Sequence, residues 1–165
     1  MAHETEADLR ELQRLLDECH AGAGAHLKRI FSDERRVNAA DLPARLPGVQ
    51  VTALATVTAK GEPRVAPVDG LFYRGRLWFG SAPDSQRFRN IRARPAVSAT
   101  IAHGEEFALV VHGTAREVDI GEPEHEGFRD YIGEVYGRDR IEWFSGHPFA
   151  WIEPTWMFTF GGVSG

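Results

Sequence analysis

The sequence predicts a mainly β protein with helices: a small antiparallel β-barrel behind an N-terminal helical extension. Three observations predict it. The hydrophobic period changes at Val49, from helical spacing before it to β-branched runs after it. The runs are joined by short turn signals, Lys60-Gly61, Arg74-Gly75 and His103-Gly104-Glu105, which return the chain in the antiparallel sense. One short helical segment interrupts the meander, between the third and fourth runs, and closure would relieve strands this apolar of exposed edges.

Taken in order, residues 5–20 carry Leu9, Leu12, Leu15 and Leu16 at helical spacing, with charges on the opposite face. Gly22 and Gly24 end that helix. A second helical piece is expected over His26–Phe31 and a third from Asn38 to Arg45, stopped by Pro47-Gly48. Residues 1–46 are too few to own a core, so their leucine stripe must pack on the remaining domain, residues 47–165, or on a partner. The first strand is expected over Val49–Ala59, the second from Pro63 to Tyr73, and the third over Arg76–Gly80. Pro83 and Asp84 read as a helix start, with Phe88 and Ile91 facing inward and Pro95 following. Val97–Ala102 and Phe107–Asp119 form a hairpin, Pro123–Tyr136 a helix, and Phe149–Phe160 an aromatic last strand. There is no internal repeat and no low-complexity segment.

A chain of 165 residues with 42% apolar and 26% charged residues reads as one ordinary globular domain. Its formal net charge of −5 argues against a general nucleic-acid binder. Cys19, the only cysteine, excludes an intrachain disulfide and a multi-cysteine metal site. An acidic start without an apolar leader, and no run long enough for a membrane span, predict a soluble cytoplasmic protein. The seven histidines are scattered: no HExxH and no Cys/His cluster exists, so no metal site is expected.

The chemistry concentrates at Ser81–Ile91, where hydroxyls and arginines gather at the start of a helix. Such a segment beside strands is a cradle for phosphate: arginine offers a planar fork of donors, and a helix start adds backbone N–H groups. Arg87 and Arg89, two apart, do not share a helix face, so one of them is expected at the anion; Arg92 and Arg94 read as surface charges. Ser85 can cap the helix and meet a phosphate at once.

Several motifs now fall in a recognisable order. Leu54-Ala55-Thr56-Val57, Gly61, Pro63-Arg64 and Pro67-Val68 are followed by Leu77-Trp78-Phe79-Gly80-Ser81. Ser85-Gln86-Arg87-Phe88-Arg89-Asn90-Ile91 and then Arg94-Pro95-Ala96-Val97-Ser98 complete the series. This block, roughly residues 49–119, resembles the pyridoxamine 5′-phosphate oxidase-like superfamily of split β-barrel flavoproteins. The resemblance implies an antiparallel split β-barrel of the FMN-binding type. It also implies a homodimer with FMN, or the deazaflavin coenzyme factor 420, held between subunits.

Carried over by position, Arg64, Ser81, Ser85 and Arg87 hold the cofactor phosphate, and Pro67 and Val68 lie under the ring system. Phe79, Gly80, Gln86 and Trp156 complete the expected cofactor site, with Trp143 an alternative lining of the ring pocket. Asn90 is expected to tie the helix to the barrel. The implied activity is an oxidoreductase transferring hydride between cofactor and a small organic substrate, with no catalytic side chain identified. The alternatives are a flavin or haem storage protein, with His112 or His147 as an axial ligand, and a vestigial dimerisation barrel. Two departures set the chain apart from true pyridoxamine phosphate oxidases. It ends in Gly161-Gly162-Val163-Ser164-Gly165 without their arginine-rich segment, and Asp69 stands where they carry a basic phosphate ligand. That acid leaves the choice between FMN and deazaflavin open.

Overall fold

The computed structural model describes residues 3–144 and 146–161. Three helices, α1 (Glu6–Gly22), α2 (Ala25–Ile30) and α3 (Leu42–Arg45), precede the strands β1 (Val49–Val57), β2 (Pro63–Tyr73) and β3 (Arg76–Gly80). Then come α4 (Gln86–Ala93), β4 (Ala96–His103), β5 (Phe107–Val118), α5 (Glu126–Tyr136), α6 (Ile141–Phe144) and β6 (Phe149–Gly161). The strands close into a six-stranded antiparallel barrel in the order β1-β2-β3-β6-β5-β4, with β4 pairing back onto β1. This is the antiparallel barrel that the alternation and turn signals predicted. Closure leaves the interior to Leu54, Phe72, Leu77, Phe79, Ile101 and Leu109, all nearly inaccessible to solvent.

The departures from expectation are local and have local causes. β1 stops at Val57 because Thr58 begins a turn: its hydroxyl accepts from Glu62 N (3.1 Å) and its carbonyl from Gly61 N (2.9 Å). A threonine that captures backbone donors in this way competes with the ladder. At the next hairpin, Arg74 and Gly75 both take positive φ (50° and 73°), as a two-residue turn of the primed type requires. α4 starts at Gln86 and not at Pro83, because Ser85 caps it: Ser85 Oγ accepts from Phe88 N at 3.3 Å. α3 is a single turn, since Asn38 O gathers the N–H groups of Asp41 and Leu42 into a bend before it. The one-turn segments Arg138–Arg140 and Ile141–Phe144 were not foreseen, being too short to show a period.

Two apolar layers fix the position of the functional elements. Inside, α4 contributes Phe88 and Ile91 to the barrel core, and α1 adds Leu12 and Leu16 to the same cluster. α1 is held by a capping box between Thr5 and Asp8 and by Arg74 Nε donating to Asp8 Oδ2 at 3.0 Å. Outside, α5 packs Phe128, Tyr131 and Ile132 on the β2–β3–β6 wall, where Phe128 stacks on Trp78 at 4.0 Å. That packing delivers the C-terminal end of α5, and the segment through Phe144, to the mouth of the β2–β3 region. No helix among the described residues is long and apolar enough to cross a membrane.

Candidate functional site

β2 is longer than the strand beside it. It pairs with β1 over residues 63–71 but with β3 only over residues 70–73, so residues 63–69 have one free edge. Tyr73 and Arg76 close the two-residue hairpin, so the N–H and C=O of Tyr73 face β3. Alternation then carries the backbone groups of Asp69, Pro67 and Val65 to the free edge.

α4 approaches that edge from the opposite side. Arg87 Nη2 donates to Pro67 O (3.0 Å) and Nη1 to Ser81 Oγ (3.1 Å), tying β2, α4 and the end of β3 together. Neither acceptor carries a charge, and Arg87 forms no ion pair among the described residues. Burial lowers its pKa from the ordinary arginine value, the mark of a guanidinium partly desolvated without an anion to compensate. It remains charged at neutral pH all the same.

Its neighbours are spoken for. Arg92 pairs with Glu117 (2.6 Å), and Arg89 bonds to Gln86 Oε1 (3.0 Å) and to the Asp84 carbonyl. α4 itself carries no acidic residue, the nearest acid in the chain being Asp84 just before the Ser85 cap, and its start and Arg87 contribute positive potential. Asn90 is buried and donates to Thr56 Oγ1 at 2.9 Å, while its carbonyl accepts from Gln86 Nε2 at 2.8 Å. It ties the helix to the barrel and does not face a ligand.

Ser81 also opens onto a cavity of about 540 Å³. Gly80, Ser81 and Ala82 line it from the end of β3, Asp69 and Leu71 from β2, and Phe149 from β6. The far wall is an aromatic chain: Tyr136 lies 5.0 Å from Phe144, Phe144 4.9 Å from Trp143, and Trp143 stacks on His147 at 4.6 Å. Asp69, the residue out of place in a phosphate cradle, makes no ion pair with Arg87; its Oδ2 accepts from the Tyr136 hydroxyl at 3.3 Å. Burial above all, then the Asp69 charge and this hydrogen bond, pushes the Tyr136 phenol well above its ordinary pKa. It is therefore a protonated donor at neutral pH. Tyr136, Arg140, Phe144 and Phe149 were not singled out from sequence as site residues. Asp69's departure from the family pattern was the available signal.

The other expected residues are distributed more widely. Val68 is half-buried against the core, and Phe79 points inside the barrel, 6.1 Å from the Phe88 ring. Arg64 is exposed and bonded to Glu62 Oε2 at 2.8 Å, three residues from Pro67 along the free-edged half of β2. Trp156 lies seven residues along β6 from Phe149, roughly 23 Å at strand rise. One chain therefore does not bring Trp156 to Arg87. Trp156 instead stacks on His112 (4.9 Å), whose Nδ1 is 2.7 Å from Ser98 Oγ. Val51 (75% exposed) and Val65 (69% exposed) stand apolar and uncovered on the outer face of the β1–β2 hairpin. Among the described residues, no group of three or more His, Cys, Asp and Glu side chains converges as a metal site would require.

The family model described as pyridoxamine 5′-phosphate oxidase matches residues 40–160, and the chain belongs to that family. Among solved structures, a conserved hypothetical protein of Mycobacterium tuberculosis is similar over 81% of this chain and 96% of its own, at 17% identity and TM-score 0.66. An FAD-binding protein of Mesorhizobium loti is 25% identical over 67% of this chain and 82% of its own, with TM-score 0.54. The haem storage protein of Vibrio cholerae is 20% identical over 68% and 88%, with TM-score 0.58. No curated protein matches the sequence. Of the two departures from true pyridoxamine phosphate oxidases, Asp69 lies in the site, while residues 162–165 lie outside the described residues.

Proposed function

We propose that this member of the pyridoxamine 5′-phosphate oxidase family binds FMN, or a deazaflavin of the factor 420 type, and acts as an oxidoreductase on a small organic substrate. The observation that carries the reading is Arg87: a half-buried guanidinium, pinned to Ser81 and Pro67, with no carboxylate partner among the described residues. A phosphate dianion satisfies it, and the hydroxyls of Ser81 and Ser85 and the start of α4 are the donors such an anion needs. The donor set fits the group. Pro67 and the backbone of Val68 then lie under the ring, the Val68 side chain facing the core, and the backbone groups of Val65 and Asp69 on the free edge meet the ring's polar rim.

A bound flavin or deazaflavin supplies the hydride chemistry, which needs little acid–base machinery from the protein. The chain's own residues bind the phosphate, orient the ring and exclude water. Titration of the purified protein with FMN and with the deazaflavin tests this: saturable binding of either, lost in excess inorganic phosphate, is expected. A protein that takes up neither, or that takes up haem alone, refutes it.

The same reading makes the protein a cytoplasmic homodimer with the cofactor between subunits. Val51 and Val65 leave apolar surface on the outside of the β1–β2 hairpin, and the register row from Val65 through Ala55, Ser98 and His112 runs round the barrel to Trp156 on β6, so a second copy that covers the hairpin is the means of bringing a Trp156 to the cofactor. The substitution Val51→Asp is expected to shift the protein from dimer to monomer by light scattering, with loss of cofactor binding. A wild-type monomer that binds cofactor normally refutes the arrangement.

A further inference from the structure

We propose that the cavity under α5 and α6 is a site for aromatic amines in their protonated form, with the ring against Tyr136, Phe144 and Trp143 and the ammonium on Asp69. Calling the occupant a substrate rests on the cofactor reading above, because Ser81 belongs to both the cavity and the phosphate cradle. The binding itself does not depend on that reading.

Three observations carry it. First, Asp69 has acceptor capacity to spare. A carboxylate offers about four lone-pair sites; among the described residues Asp69 accepts one hydrogen bond, from Tyr136 (3.3 Å), and forms no ion pair. Second, the wall facing it is aromatic and linked ring to ring from Tyr136 through Phe144 to Trp143, with spacings of 5.0 and 4.9 Å. Trp143 is 57% exposed at the mouth, so its ring is accessible to a ring compound entering the cavity. Aromatic faces and a carboxylate together are the groups that recognise an organic cation. Third, at about 540 Å³ the cavity is of the size that holds a small ring compound.

The other charged or titratable groups of the lining are Arg140 and His147, and Arg87 stands behind Ser81, donating to its Oγ at 3.1 Å. Arg140 is exposed, as Asp69 is, and forms no ion pair with it. His147 stacks on Trp143 at 4.6 Å, and its buried Nδ1 has no hydrogen-bond partner among the described residues. Asp69 is the carboxylate of the lining, and Tyr136, donating to it, fixes its orientation toward the aromatic wall.

The test uses three probes of one shape and different charge: phenethylamine, phenethyl alcohol and phenylacetate. Binding to the full-length protein is measured by calorimetry and by intrinsic tryptophan fluorescence. The amine is expected to bind about tenfold or more tighter than the alcohol, as a hydrogen bond to a charged group implies. Phenylacetate is expected to bind weakest. Asp69→Asn should bring amine and alcohol to near equality, and Trp143→Ala should weaken both alike. Equal affinities in the wild type, a preference for phenylacetate, or a preference unchanged in Asp69→Asn would overturn the proposal. Displacement of the amine by FMN would also overturn it, since the cavity would then be the cofactor's own. Amine binding that survives in a protein unable to bind FMN or the deazaflavin sinks the cofactor reading alone.

Discussion

Replacing Arg87 by alanine is expected to weaken FMN or deazaflavin binding by roughly 1–3 kcal/mol, the range for hydrogen bonds to a charged group. That is on the order of ten- to a hundredfold in Kd. The side chain supplies the charge that nothing else in the cradle replaces: Arg92 is already neutralised by Glu117, and Arg64 is bonded to Glu62. Stability should change by less than about 1 kcal/mol, because the Ser81 hydroxyl and Pro67 carbonyl that lose Arg87 stay within reach of water. Arg87→Lys should recover only part of the affinity, since one ammonium does not reproduce a fork that spans two acceptors while facing an anion. Riboflavin, which lacks the phosphate, provides the control and should bind wild type and Arg87→Ala equally. Fluorescence titration at two salt concentrations measures all of this. Equal FMN affinities in the two proteins would mean that the cradle lies elsewhere.

How far the sequence discloses this molecule depends on the range of the interactions involved. The strands and their turns are visible because alternation and turn residues are local: Arg74-Gly75 gives a turn with both φ values positive, and Leu54, Ile101 and Leu109 alternate into the core. The role of Asn90 is legible from its place in the motif, and its bond to Thr56 bears that out. Gly70 is the opposite case. An added Cβ there would sit 2.1 Å from Thr52 Oγ1, a constraint set by a neighbouring strand and absent from any local pattern.

The cavity is illegible for the same reason. Its walls are assembled from β2, the end of β3, the end of α5 and two one-turn segments, separated by more than sixty residues in the chain (Asp69 to Tyr136, for example). Asp69 shows the limit most clearly. In the motif it reads as an acid beside a phosphate, which would repel it. In space its carboxylate accepts from Tyr136 in a cavity that adjoins the cradle at Ser81, and it forms no ion pair with Arg87. A one-dimensional motif gives proximity along a strand; it does not give the direction in which a side chain is held.

The substitution Phe88→Ala separates the scaffold of the cradle from its chemistry. Phe88 is fully buried (0% exposed), next to Arg87 in sequence but about 100° around the helix, with its ring in the barrel core 6.1 Å from Phe79. Removing a buried phenyl ring costs about 3–5 kcal/mol, through lost transfer energy and the cavity left behind. Against a total stability of roughly 5–15 kcal/mol this is a large fraction, and Tm should fall on the order of 10 °C. Thermal and urea unfolding measure it, with Phe88→Leu expected to lose well under half as much.

The cofactor result should run the other way. In the folded fraction of Phe88→Ala, the bond from Asn90 to Thr56 (2.9 Å) and those from Arg87 to Ser81 and Pro67 still fix the first turn of α4. FMN affinity should therefore fall less than in Arg87→Ala, and saturating FMN should restore part of the lost Tm by mass action. The two variants thus cross: Arg87→Ala loses affinity with little stability, Phe88→Ala loses stability with little affinity. A parallel loss of both properties in both variants would mean that α4 contributes to the site only by holding the barrel together, and the phosphate would then have to be held by groups outside this helix.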